Sequence, residues 1–114
     1  MSQIAEYIYA LPQVISITAS VNDVAINSTF VKIESDGAYN ITGLQPPVTD
    51  DHLAAVVLMN KSAFTLTLKN NDAGSIVGHR FKSMTGIDIS LPSGYVAQLR
   101  KIEDYFYILN AFPS

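Results

Sequence analysis

Cysteine is absent from the 114 residues, so disulfides, thiolate metal sites and cysteine nucleophiles are excluded. Charge is scarce as well: Asp, Glu, Lys and Arg make up 15% of the chain, against roughly a quarter in an average soluble domain. No basic residue precedes Lys32, and the net charge is −3, which argues against a surface built to grip phosphates; no nucleic-acid partner is expected. Long apolar runs are missing. The longest, Leu53 to Met59 and Tyr105 to Leu109, fall far short of the roughly 20 residues of a membrane span, so no membrane partner is expected either. Glu6 stands where a secretory leader would need positive charge, and the chain therefore reads as made in the cytoplasm without a signal peptide.

What is present is apolar. Hydrophobic residues make up 48% of the chain and mean hydropathy is +0.22. A mass of 12.4 kDa allows one domain, with about two-thirds of its surface buried on folding. A domain this small exposes much of what it carries, so a charge-poor apolar composition points to surface covered by partners.

Strand signals dominate the pattern. Val14 to Val21 alternates, with Ile15, Ile17, Ala19 and Val21 on one face. Phe30 to Glu34 alternates too, and Asp36–Gly37 followed by Tyr39 to Thr42 reads as a hairpin. Gln45 to Asp51, with Pro46–Pro47 and Asp50–Asp51, reads as a loop. His52 to Asn60 is apolar on both faces, as a central strand would be; a short helix capped by Asp50 or Asp51 is the alternative. Phe64, Leu66 and Leu68 alternate, Asn70 to Gly74 is a turn cluster, and Ser75 to Phe81 reads as a short strand bent at Gly78. Ile87, Ile89 and Leu91 precede the turn Pro92–Ser93–Gly94; Tyr95, Ala97 and Leu99 follow it, and Asp104 to Leu109 forms a last aromatic strand. Turns at this spacing, with no useful helical window, predict an all-β chain: a single β-sandwich, jelly-roll-like, over residues 13–114, preceded by an N-terminal arm at residues 1–12.

Few groups converge for chemistry. Asp50–Asp51–His52 offers hard ligands but reads better as a polar loop, and no third nitrogen or sulfur ligand lies at zinc-site spacing. His79–Arg80 near Lys82 is either a small basic patch for a carboxylate or phosphate, or a solvated face. Serines occur without a nucleophile elbow, the six glycines form no phosphate-cradling loop, and the acidic pairs sit at turns. No enzymatic activity, metal or cofactor is expected. The aromatic residues are the most suggestive feature. Ile4, Tyr7, Ile8 and Tyr9 in the arm and Tyr105, Tyr107 and Phe112 at the other end are candidate interface residues; Asn70, Asn71 and Asp72 are a candidate exposed contact loop.

From Leu58 onward the order of motifs is distinctive. Leu58–Met59–Asn60–Lys61–Ser62 precedes Phe64 to Asn70, then Gly78–His79–Arg80–Phe81 and Ile87–Asp88–Ile89. Leu91–Pro92–Ser93–Gly94–Tyr95 to Leu99 and Asp104 to Ile108 complete the series. Over residues 53–109 this resembles a small β-domain of tailed-bacteriophage virion proteins, found in tail-fibre modules and in stand-alone capsid or tail accessory proteins. The chain departs from the pattern in lacking the tryptophan of the last strand and in carrying His79 where asparagine often precedes arginine-phenylalanine. The resemblance implies a virion structural protein assembled in the host cytoplasm, with copies of itself, as a trimer, and other virion proteins such as the major capsid protein as expected partners. A capsid decoration or cement protein that clamps shell subunits is the first expectation. A tail component, either adaptor or receptor-binding tip, is the alternative, and a carbohydrate-binding sandwich a third.

The arm generates a test. Ile4, Tyr7, Ile8 and Tyr9 are too apolar for an idle terminus, and each large side chain buried fully against a partner contributes about 1.5–3 kcal/mol. Deleting residues 1–11 is expected to leave a folded, soluble domain that no longer assembles, as read by circular dichroism and sedimentation.

Overall fold

The alternation of Phe30 to Ser35 becomes a strand in which Val31 and Ile33 are fully buried and Phe30 and Glu34 are exposed. The computed structural model describes residues 12–46 and 55–113. Within them the chain is all-β, with eleven strands and no helix. They are β1 (Gln13–Ile17), β2 (Val24–Ala25), β3 (Phe30–Ser35), β4 (Asn40–Ile41), β5 (Leu44–Gln45) and β6 (Ala55–Asn60), followed by β7 (Leu66–Leu68), β8 (Phe81–Ser83), β9 (Ile89–Leu91), β10 (Tyr95–Ile102) and β11 (Tyr105–Pro113). The arm residues Ile4, Tyr7, Ile8 and Tyr9, and the Asp50–Asp51–His52 cluster, lie outside the described residues.

Six strands form one sheet in the order β1-β3-β6-β10-β11-β8, while β4-β7-β9 and β2-β5 form two smaller sheets. Pairing in the first half is parallel: Gln13 lies opposite Val31, and Val31 opposite Leu58. The smaller sheets repeat this winding, since β2 runs parallel to β5 and β4 parallel to β7. Successive circuits of the chain therefore stack on one another. Antiparallel ladders among the described strands are β7–β9 and those of β10, which lies against β6 and turns back into β11; Gly43 and Arg80 add an isolated antiparallel bridge. Five of the eight ladders are parallel, so the first half does not wind through the antiparallel Greek keys of a jelly roll.

The expected hairpin of Phe30–Glu34 with Tyr39–Thr42 does not form. Both edges of β3 are occupied, by β1 and β6, and β4 instead joins β7, with the Thr67 amide donating to Tyr39 O and the Lys69 amide to Ile41 O. Asp36–Gly37 turns the chain between sheets; Ser35 Oγ donates to Gly37 O at 2.7 Å and Tyr39 Oη to Asp36 at 2.5 Å. An Asp-Gly pair marks a change of direction and does not choose the partner strand. Ser75 to Arg80 is likewise a series of turns rather than a strand, passing through Gly78 at φ 98°. The strand expected over Val14 to Val21 stops at Ile17, and Ala19 is exposed.

A single core brings the inward faces together. Val31, Ile33, Leu58, Leu99 and Phe106 of the large sheet pack in one cluster with Ile41, Leu44, Leu66, Leu68 and Leu91 of the smaller ones. Asn60 occupies the inward position after Val56 and Leu58 and is fully buried. It is tolerated there because its polar atoms are all paired. Nδ2 donates to Phe64 O at 2.7 Å and Leu91 O at 2.8 Å, and Oδ1 accepts from the amide and hydroxyl of Ser62. Asn60→Ala takes the partner from Leu91 O and the Ser62 amide, while Phe64 O keeps Ser62 Oγ, and is expected to cost about 2 kcal/mol, measured as a lower urea midpoint in equilibrium unfolding.

Candidate functional site

The β10–β11 hairpin positions the three described aromatic candidates. Glu103 at φ 55° makes its tight turn, and the register then sets Tyr105 opposite Ile102, Tyr107 opposite Arg100 and Phe112 opposite Val96. A register shift beside Gln98 and Leu99 leaves Leu109 as an extra residue in β11. That bulge keeps Phe106 and Ile108 buried while Tyr105, Tyr107, Asn110 and Phe112 share the opposite, outer face. Simple alternation along this segment puts Tyr105 and Tyr107 on one face and Phe106 and Ile108 on the other, and that is the placement observed.

Following the ladders across the sheet shows what surrounds them. One continuous row runs Val14–Lys32–Met59–Val96–Phe112 over five strands. The next contains Phe30, Val57, Gln98 and Asn110, and a third Ala55, Arg100, Tyr107 and Lys82. Exposed apolar surface recurs along this face: Val14 is 56% exposed, Leu109 48%, Phe112 39% and Phe30 38%. A hollow of about 300 Å³ lies among Thr29, Ala55, Val57, Gln98, Arg100 and Leu109. The Tyr105 and Tyr107 rings meet edge to face at 5.9 Å, and Lys82 Nζ lies 4.8 Å from the Tyr105 ring centre. The ladders put Lys32, Arg100 and Lys82 on this face against Glu34 alone, although the whole chain carries a net −3. Such a face suits binding: it offers apolar area, aromatic edges and positive charge at its borders.

The other polar cluster is internal. His79 Nδ1 lies 2.8 Å from Asp23 Oδ1, which also accepts from the Ile76 amide at 3.1 Å. Ser75, fully buried, accepts from the Asp23 amide at 3.0 Å and shares a 2.6 Å hydrogen bond with Thr42, which donates in turn to Asn22. Ser75 and His79 each bind Asp23 rather than one another, so serine, histidine and aspartate do not line up as a nucleophile, base and orienter. Gly43 is pressed against this cluster, and a Cβ there would lie 2.6 Å from Ser75 Oγ. Arg80 Nε donates to Ser75 O at 2.9 Å. The basic pair His79–Arg80 is thus spent on this fastening. Among the described residues no three His, Cys, Asp or Glu side chains group as metal ligands.

The proposed contact loop is also stitched inward. Asn70 is half-buried; its amide donates to Asp88 Oδ1 and its Nδ2 to Gly86 O, while its Oδ1 accepts from the Ser83 amide. The Asn71 amide donates to Phe81 O, and Asp72 Oδ1 accepts from the Gly74 amide. Asn71 alone of the three is exposed. The sequence pattern does not single out Val14, Phe30, Val57, Met59 and Leu109 as site residues; the double-sided apolar pattern of the strand ending at Asn60 signals Val57 and Met59 alone.

Burial acts to raise the Asp23 carboxyl pKa, but the hydrogen bonds from His79 and the Ile76 amide outweigh it and hold the group below its ordinary value. A carboxyl depressed by folding contributes its full stabilisation above its unfolded value and loses it as pH falls through the folded one. Asn tolerates the left-handed backbone of position 23, at φ 49°, so Asp23→Asn isolates the charge. This variant is expected to lose about 1 kcal/mol near neutral pH, with the gap from wild type closing below about pH 4, in urea titrations across pH.

No family model, curated protein or solved structure matches this chain.

Proposed function

We propose that this protein is a non-enzymatic structural subunit of a tailed-bacteriophage virion, acting as a capsid decoration or cement protein. The outer face of its six-stranded sheet would bind a neighbouring subunit. The observation that carries this reading is the row Val14–Lys32–Met59–Val96–Phe112 on the side of the sheet away from the core, in which Val14 and Phe112 are exposed, Met59 is half-buried and Val96 is buried. Solvent gains nothing from such an arrangement, and a second surface laid on it removes that area from water. The motif order from Leu58 to Ile108 supplies the resemblance to virion β-domains. The single core joining the large sheet to the smaller ones supports a two-layered, sandwich-like architecture, which offers one broad face to a neighbour while keeping its own core shut. Closed association with further copies, as a trimer, and contact with the major capsid protein would cover this face.

Paired substitution tests it. Tyr107→Ser together with Phe112→Ser removes aromatic area from the outer face and leaves the buried Phe106 and Ile108 in place. Self-association measured by sedimentation is expected to weaken by roughly thirtyfold, about 2 kcal/mol, with an unchanged circular dichroism spectrum. Wild-type protein that stays monomeric, or a variant that associates equally well, overturns the reading. Purified particles are expected to carry many copies of the protein over the shell, whereas a few copies at one vertex would assign it to the tail.

A further inference from the structure

Two strand edges on the described surface face a common groove. β8 pairs with β11 only over Phe106 to Ile108, so from Leu109 to Pro113 β11 has a ladder on its β10 side alone among the described residues. β9 has a ladder with β7 alone. Between these edges lies a cavity of about 380 Å³, with Ile89 and Ser90 from β9 and Leu109, Asn110 and Ala111 from β11 in its lining, and Met84 beside them. Two strand edges without a second ladder among the described residues, over a lining that mixes Met84, Ile89, Leu109 and Ala111 with Thr85, Asp88, Ser90 and Asn110, are the setting in which an extended segment can add as an extra strand.

We propose that this groove receives the N-terminal segment of a second copy of the chain. The segment suits an added strand: from Ile4 to Leu11 it holds Ile4, Tyr7, Ile8, Tyr9 and Leu11, with Glu6 as its one charge and no glycine or proline. Pro12 then marks the boundary with β1. The fold disfavours docking into the same molecule. Gln13 lies in the row Gln13–Val31–Leu58–Ala97–Ala111, so the arm starts level with the groove but four strands away. Four inter-strand steps span roughly 19 Å, and crossing them uses about six extended residues. The few residues left would have to turn through a right angle before pairing. A second copy, brought up along the groove, lets the whole apolar stretch of its arm lie in line with β11. The inference deepens the self-assembly part of the reading above and rests on it.

The absence of cysteine makes the test clean. Full-length Ile8→Cys protein is mixed with mass-tagged full-length Ser90→Cys protein under mild oxidation, and the mixture is repeated with Tyr9→Cys, because successive strand residues face opposite ways. Ser90 is exposed and lies in the β9 ladder, away from the outer face of the large sheet. Thr85→Cys, exposed and in the lining of the same cavity, serves as a second acceptor position. The expected result is a disulfide between the two different chains, formed at least tenfold faster than with exposed Ala38→Cys as acceptor. Failure of both arm positions to link to either acceptor overturns the proposal, as does equal linking to Ala38→Cys. A disulfide formed only within single chains of an Ile8→Cys/Ser90→Cys double variant overturns it in favour of the chain's own arm. Sedimentation of the same mixtures separates the two readings. Oligomers without arm linkage sink the groove and leave the outer face standing, whereas inter-chain linkage that persists when Tyr107→Ser and Phe112→Ser leave association unchanged retains the groove and sinks the outer face.

Discussion

Burial of Val31 and Ile33 between two parallel neighbours commits β3 on both edges at once. A strand in that position cannot take its sequence neighbour as a hairpin partner, so the chain leaves the large sheet after Ser35 and adds β4 and β5 to the smaller sheets before it returns as β6. Parallel strands require such a crossover. Each circuit therefore delivers one strand to the large sheet and short strands to the smaller ones. The core is the space the circuits enclose, and Ile41, Leu44 and Leu68 close it opposite β3 and β6.

The same constraint gives the large sheet two unlike faces. Its inner face shares one core with the smaller sheets, while no further strand of the described residues pairs or packs in that core from the outer side. Alternation then sorts side chains by parity alone. In β6 the inner set is Val56, Leu58 and Asn60, yet the outer set, Ala55, Val57 and Met59, is apolar as well. A strand with one face in water alternates apolar with polar side chains; β6 does not, although Lys32 and Glu34 of β3 lie on the same outer face. The Leu109 bulge matters here because it corrects the parity of β11 midway. Without that extra residue, Phe112 would turn to the core side and Ala111 outward.

Polar groups fasten the circuits where short strands cannot. β2, β4 and β5 have two residues each, too few for ladder bonds alone to hold them. Asp23, Ser75, His79 and Thr42 tie the passes around β2 and β5 to the turns before β8. Asn60 ties the end of β6 to β9, and Asn70 ties the end of β7 to the turn after β8. Lys69 and Asp88 add a 2.9 Å ion pair beside Asn70, with the Asn70 amide and Lys69 together holding the Asp88 carboxyl below its ordinary value. These asparagines and hydroxyls are structural fastenings, which accounts for the abundance of such residues in a chain that offers so little charge.

Strand existence was legible in the sequence wherever inward residues alternate: Val31 with Ile33, Leu66 with Leu68, Phe106 with Ile108. Turns were legible too, at Asp36–Gly37, Asn70 to Gly74 and Pro92 to Gly94, because their residues carry the required backbone preferences themselves. The shared face of Tyr105 and Tyr107 followed from parity. The partner of each strand did not follow. Asp36–Gly37 looks the same whether the chain folds back as a hairpin or crosses to another layer, and the stacked circuits differ in length, so no repeat announces them. The row that joins Val14 to Phe112 draws on five strands far apart in the chain. Alternation belongs to neighbours along the backbone and is written in the sequence; pairing is a competition among edges that meet only when the core closes, and the tertiary structure alone decided it.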